Sequence, residues 1–186
     1  MNDRKERVCP VSRAWGLDNR LRRWFQNPEK ILGPYIRPGM TALDVGCGPG
    51  FFTLAMAGLV GESGRVIAAD LQEGMLQKLG NKIRGTELDK RISLHKCEAD
   101  RLGLEEKLDF ALAFYMVHEV PEKICLFKEI FELLKPGARF LMVEPKLFHV
   151  SEMEFRNTVN NAITVGFAAY DGPGMPFSWS VILRKA

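Results

Sequence analysis

TALDVGCGPGFFT, Thr41 to Thr53, decides the fold of this chain. Apolar residues run into an acid at Asp44, and Gly46, Gly48 and Gly50 follow before a helix-compatible segment at 51–59. That order predicts a buried strand over 41–45, a tight glycine turn and a helix N-terminus. Glycine tolerates positive φ and lets a ligand approach bare backbone, while the first amides of the helix are oriented toward an anion. A small, partly anionic ligand is the expected occupant.

Outward from this stretch the chain alternates strand and helix patterns. Upstream, Pro28 opens a short helix to about Tyr35, and Arg37-Pro38-Gly39 turns into the first strand. Downstream, strands are expected at 65–69 (ending at Asp70), 92–96 and 108–114, with a helix over 72–86 that carries Met75, Leu76, Leu79 and Ile83 at helical spacing. The run at 108–114 is apolar almost throughout, as expected of a strand covered on both faces. Pro121 is expected to open a helix bearing Ile124, Phe127, Ile130, Phe131 and Leu134, which Lys135-Pro136-Gly137 stops. A strand at 139–143 ending in Glu144-Pro145, a helix over 151–165 with Phe155, Val159, Ala162 and Ile163 on one face, and strands at 167–171 and 177–184 complete the order. This is a doubly wound α/β fold: a mostly parallel seven-stranded sheet with helices on both faces and an antiparallel C-terminal hairpin. In such sheets ligands bind beyond the carboxyl ends of the strands, at the switch in strand order.

The whole of 1–186 reads as one domain, with 28–186 as the α/β core and 1–27 as a basic N-terminal arm. The arm carries Trp15, Trp24 and the cluster Arg20, Arg22 and Arg23; it serves as a lid over the site or as an anchored, solvated face. Hydrophobic residues make up 46% and charged residues 26%, ordinary for a soluble globular protein. A net charge of +3 does not call for a nucleic-acid partner. No apolar run approaches the roughly 18 residues of a membrane span, and the polar start MNDRKERVCPVSR has no signal-peptide pattern. Cys9, Cys47, Cys97 and Cys125 form no Cys-x-x-Cys pair, so reduced thiols in a cytoplasmic setting are expected and a zinc site is not.

A glycine loop followed about 20 residues later by an acid, here Asp70, also suits a dinucleotide site. Two details favour another ligand. Phe51 stands where the dinucleotide fingerprint needs its third glycine, and Asp44 would repel a pyrophosphate while attracting an ammonium or sulfonium.

At these residues the sequence resembles the class I S-adenosylmethionine-dependent methyltransferases. LDVGCGPG (43–50) resembles their first motif, VIAADL (66–71) the second, and EADRLGL (98–104) the adenine-contacting loop. LDFALAFYMVHEVP (108–121) and LLKPGARFLMVEP (133–145) resemble the strand-four motif and the segment after it. The likeness runs from about Ile31 to the C-terminus and is strongest to the small-molecule branch that includes the ubiquinone/menaquinone-biosynthesis type. It implies S-adenosylmethionine as cofactor and a small organic acceptor. Gly46, Cys47, Gly48 and Gly50 would then cradle the methionine part, with Asp44 facing its ammonium and Ala113 and Phe114 beside it. Asp70 would hold the ribose hydroxyls, Leu71 would lie against the adenine, and Asp100, flanked by Ala99 and Arg101, would accept from the adenine amino group.

Methyl transfer from a sulfonium is an in-line displacement on an activated carbon, so the protein mainly aligns the reactants. A base is needed only where the acceptor loses a proton. His118, Tyr115 and Glu119, just past strand four, are the catalytic candidates, with Glu144 past strand five. Each has a purely structural alternative: His118 as a packing or capping residue, Tyr115 as a pocket wall, Glu119 beside the dipole of the Pro121 helix. Asp70 differs, since a strand-end acid beside the loop has little evident structural purpose. RNA or protein methylation, and a non-catalytic module that only binds the cofactor, are the competing functions; strand four lacks the Asn/Asp-Pro-Pro-Tyr pattern of base-amino methylases.

Overall fold

A computed structural model describes residues 26–146 and 150–186. The expectations placed on Cys9, Trp15, Trp24 and Arg20, Arg22 and Arg23 lie outside the described residues.

The elements are α1 (Pro28–Leu32), β1 (Thr41–Val45), α2 (Phe51–Val60), β2 (Arg65–Asp70), α3 (Glu73–Ile83), β3 (Ile92–Lys96), β4 (Leu108–Phe114), α4 (Lys123–Leu133), β5 (Leu134–Pro145), α5 (Glu152–Val165), β6 (Phe167–Asp171) and β7 (Ser178–Lys185). The seven strands form one sheet in the order β3-β2-β1-β4-β5-β7-β6. β1 to β5 pair in parallel, while β7 runs antiparallel to both β5 and β6. Strand order therefore reverses between β1 and β4, which sets the binding crevice at their carboxyl ends.

The period-2 alternation of the central strands divides the core between the two faces. Leu43, Val45, Ala111 and Phe140 pack on Phe127 and Ile130 of α4 and Phe155 of α5. Ala42, Phe110 and Leu112 pack on Leu32, Phe52, Met56 and Leu79 from α1, α2 and α3. Both faces are buried, which is why β1 and β4 read as nearly unbroken apolar runs.

Four boundaries differ from the sequence reading. α1 stops at Leu32 because Pro34 has no amide to continue the ladder, although Asn27 caps its start through Lys30 N. α3 ends at Ile83, and Gly85 turns at φ 74° into a short 3-10 helix, Glu87–Lys90. α4 begins at Lys123 with Glu122 at its N-cap, so Pro121 precedes the helix. Lys135-Pro136-Gly137 does not separate α4 from the next strand: β5 already starts at Leu134, and its pairing jumps from Leu134 to Arg139 opposite β4. That irregularity absorbs a proline with no amide for the ladder and Gly137 at φ 77°.

Two helix faces are also phased differently. α5 buries Phe155, Thr158 and Ala162 and leaves Ile163 exposed, while α4 buries Leu126 and Leu133 and leaves Ile124 exposed. Ser151 closes a capping box with Glu154 at the start of α5.

Candidate active site

The glycine loop owes its shape to contacts with the end of β2. Ala69 O accepts from Gly46 N at 2.8 Å and from Cys47 N at 3.1 Å. Gly46, Gly48 and Gly50 all take positive φ (67°, 54° and 92°), but a side chain would meet different things at each. A Cβ on Gly50 would strike Leu79 Cδ1 at 2.4 Å, and one on Gly46 would lie 2.9 Å from Met116 Cβ. At Gly48 a Cβ would meet nothing within 4 Å. Gly46 and Gly50 are thus required by packing, whereas the bare backbone of Gly48 faces open space. α2 starts at Gly50 without a side-chain cap, so its first amides lie beside that space.

Asp70 is 7% exposed and spans the loop: Oδ2 accepts from Gly48 N and Oδ1 from Gln72 N, each at 2.8 Å. Burial raises its pKa, with the two amides pulling the other way. The reading of Asp70 as an acid with little structural purpose is corrected here; the carboxylate tethers the glycine loop to β2. Two amide bonds still leave a carboxylate with further acceptor sites. Asp44 is 2% exposed on the α2 side of the sheet, where its Oδ2 accepts from Thr53 Oγ1 at 2.6 Å.

Leu71 stands exposed immediately after Asp70. The loop with Ala99, Asp100 and Arg101 is drawn to the same edge because Cys97 N donates to Asp70 O at 3.0 Å. All three residues are exposed, and Arg101 pairs with Glu98 at 3.0 Å. Ala113 and Phe114 are buried at the end of β4, next to β1. Burial, followed by Asp44 and Asp70, pushes the Cys47 thiol up. Burial also leads in raising Cys97, to about 11. Neither supplies a thiolate near neutral pH.

Past β4 the chain turns sharply. Tyr115 has φ 61°, a left-handed conformation that costs a bulky residue on the order of 1–3 kcal/mol. Its amide donates to Val143 O at 2.8 Å, its ring lies 4.5 Å from that of Phe114, and Phe114 stacks on Phe52 at 4.1 Å. The Tyr115 hydroxyl accepts from Gln26 Nε2 at 2.7 Å and shares a 2.5 Å hydrogen bond with Ser178 Oγ.

The turn delivers a short 3-10 helix, Val117–Glu119, onto the end of β5. There Glu144 is 1% exposed; its Oε1 accepts from Val117 N at 2.9 Å, and its Oε2 lies 2.5 Å from His118 Nδ1. A carboxylate accepts, so Nδ1 carries the proton and Nε2 is the basic nitrogen. Nε2 lies 4.0 Å from Glu119 Oε1. Burial pulls the imidazole pKa down, but the hydrogen bond and charge of Glu144, aided by Glu119, outweigh it and hold the group above its ordinary value. Glu119 closes the 3-10 helix, ahead of Glu122 at the N-cap of α4. Sequence reading placed Glu144 at the right edge but missed its pairing with His118. It also missed Ser178 and Gln26 as partners of Tyr115. A strand-end acid on β5, the parallel neighbour of β4, was the signal for the first; the others had none.

Among the described residues no cluster of three or more His, Cys, Asp or Glu side chains is placed to hold a metal ion, and no helix is long and apolar enough to cross a membrane.

Residues 36–177 match a family model described as a methyltransferase domain. Demethylmenaquinone methyltransferases of Bacillus cereus (strain AH187) and Bacillus anthracis are each 32% identical over 126 residues, covering 67% of this chain and 52% of the relative. The chain thus spans about half the length of the curated relatives it matches. Among solved structures, a SAM dependent methyltransferase from Aquifex aeolicus superposes with a TM-score of 0.85 at 25% identity, over 96% of this chain and 100% of that one. The [4+2]-cyclase SpnF shares the fold at a TM-score of 0.68 and 19% identity, over 78% of this chain and 58% of its own.

Proposed function

The chain belongs to the methyltransferase-domain family, and from that premise we propose that it transfers a methyl group from S-adenosylmethionine to a small organic acceptor. The observation that carries this reading is Gly48, whose left-handed backbone faces open space while its amide is held by Asp70. Beside the first amides of α2, that arrangement lets a ligand approach bare backbone. The residues fit the group: the loop 46–50 and the start of α2 suit a carboxylate, and Asp70 retains acceptor capacity for a ribose diol. Leu71 offers an exposed apolar surface for the adenine, and Asp100 an exposed acceptor for its amino group. Asp44 contributes negative charge beneath the loop, and Ala113 and Phe114 line its β4 side.

When bound, S-adenosylmethionine would supply a methyl group whose carbon is made electron-poor by the sulfonium sulfur it leaves. The chain's own part is alignment and proton removal. His118 Nε2 takes the proton from a hydroxyl-bearing acceptor, and Glu144 holds the Nδ1–H and steadies the imidazolium that forms. Glu119, near Nε2, favours the same charge. The β4 and β5 edges carry the acceptor side of the site, within one catalytic domain over 28–186. Since the curated relatives named above are demethylmenaquinone methyltransferases, a quinone-type acceptor in its reduced, hydroxyl-bearing form is the first class to assay. A cytoplasmic setting belongs to the same reading.

The test is incubation of the protein with S-adenosylmethionine and reduced quinone-type acceptors, following S-adenosylhomocysteine release and the methylated product by mass spectrometry. Product formation that His118→Asn reduces supports the reading. Cofactor binding without product on any small acceptor would instead favour a non-catalytic binding module.

A further inference from the structure

Among the described residues, Tyr115 and Phe177 are the non-glycine residues with positive φ, at 61° and 57°. They are distant in sequence and adjacent in space. Ser178, which follows Phe177, shares the 2.5 Å hydrogen bond with the Tyr115 hydroxyl, and Phe177 O accepts from Lys146 N at 2.8 Å. Both sites flank the carboxyl end of β5, because antiparallel β7 pairs Ser178 with Pro145. This is the edge that also carries His118 and Glu144.

The strain at Tyr115 has a structural purpose, since it turns the chain from β4 into the helix that bears His118. At Phe177 the left-handed backbone belongs to the turn into β7, where Ser178 N donates to Met175 O at 3.4 Å across Pro176 and Phe177. A turn of this kind asks for glycine or asparagine at that position and not for a phenyl ring. The Phe177 side chain is 66% exposed, so it adds little to the core, and glycine or asparagine would adopt the same backbone at less cost. A bulky ring held out at the reactive edge against its own backbone preference is what a ligand contact requires.

We infer that Phe177, carried on the Tyr115–Ser178 bridge, is a specificity-determining residue that presents an aromatic face to a flat, apolar ring of the methyl acceptor. The inference rests on the methyltransferase reading above and deepens it on the acceptor side. Tyr115, its hydroxyl engaged by Gln26 and Ser178, is a positioning residue in this arrangement. A ring lying on Phe177 has its hydroxyl edge free to face the basic Nε2 of His118, and offset stacking selects planar acceptors over aliphatic ones.

The test titrates protein saturated with S-adenosylhomocysteine with 1-naphthol, a planar hydroxyl-bearing probe, and compares cyclohexanol. Phe177→Asn removes the ring and accepts the left-handed backbone; Phe177→Tyr keeps the ring. Naphthol binding is expected to weaken about ten-fold in Phe177→Asn and to be retained in Phe177→Tyr. S-Adenosylhomocysteine affinity should be unchanged in both, and thermal stability of Phe177→Asn unchanged or higher. Equal naphthol affinity in wild type and Phe177→Asn, or a loaded wild type that binds cyclohexanol as well as naphthol or binds neither, would overturn the inference. Unchanged naphthol affinity with altered sedimentation would likewise overturn it and make Phe177 a contact between copies. Failure of the wild type to bind S-adenosylhomocysteine is a separate result that removes the methyltransferase premise, and the inference with it.

Discussion

At Asp70 one carboxylate accepts the Gly48 and Gln72 amides, and on the proposed function it would also hold a ligand's hydroxyls. Asp70→Ala is therefore expected to lower stability as well as cofactor affinity. Stranding buried amides costs roughly 1–3 kcal/mol each, enough to lower the melting temperature by several degrees in a chain of this size. Unchanged melting with unchanged S-adenosylhomocysteine affinity would contradict both roles. Gly48→Ala separates them: it adds only backbone strain of about 1–2 kcal/mol, yet places a methyl group in the open cradle, so affinity should fall further than stability does. His118 makes a pH prediction. As a base it must be neutral, so turnover should rise with pH through a pKa held above the ordinary 6.5. The same shift favours the folded protein only while His118 is protonated. That stabilisation is complete below 6.5 and is lost as pH rises through the folded-state pKa, so stability and turnover should change in opposite directions over one window. Glu144→Gln should move the turnover profile to lower pH, and His118→Asn should reduce kcat by about 10²–10⁴-fold with cofactor affinity retained. The glycines, Asp70 and His118 were legible because local residue type carries their chemistry. The His118–Glu144 contact was not, because it depends on how two loops meet across β4 and β5.

At the scale of elements, capping chemistry marks α5 and strain marks the acceptor edge. The Ser151–Glu154 box gives α5 a sharp start, and Ser151→Ala should cost about 1 kcal/mol, read as a melting shift of a few degrees with no change in cofactor affinity. Element types were legible throughout, since the strands and helices carry distinct apolar periods. Their ends were less so. α4 yields directly to β5 at Leu134, although Pro136 and Gly137 have the composition of a turn, because a register irregularity opposite Leu108 and Phe110 accommodates them. The phase of a helix face is set by what packs on it: Thr158 is buried and Ile163 exposed, a reversal no hydropathy ranking supplies. Left-handed Tyr115 and Phe177 lie beyond sequence reading for the same reason, since neither residue type favours that backbone.

At the scale of the molecule, a seven-stranded sheet covered on both faces reverses its strand order between β1 and β4, and the loops beyond their carboxyl ends divide into two groups. The glycine loop, Asp70 and the Asp100 loop lie on one side of the reversal, and Tyr115, His118, Glu144 and Phe177 on the other. On the proposed function, the first side would hold the cofactor and the second the acceptor. Fold alone does not fix the chemistry, as the cyclase with the same architecture illustrates. Cofactor binding to the folded chain should raise its melting temperature by mass action, by about 2.7 kcal/mol of added stability at a hundred-fold excess over Kd. The most direct test of the central claim is calorimetric titration of the protein with S-adenosylhomocysteine, with NAD as control. Saturable one-to-one binding of S-adenosylhomocysteine, absent with NAD and weakened in Gly48→Ala, is the predicted result. Binding of NAD in its place, or of neither ligand, would contradict it.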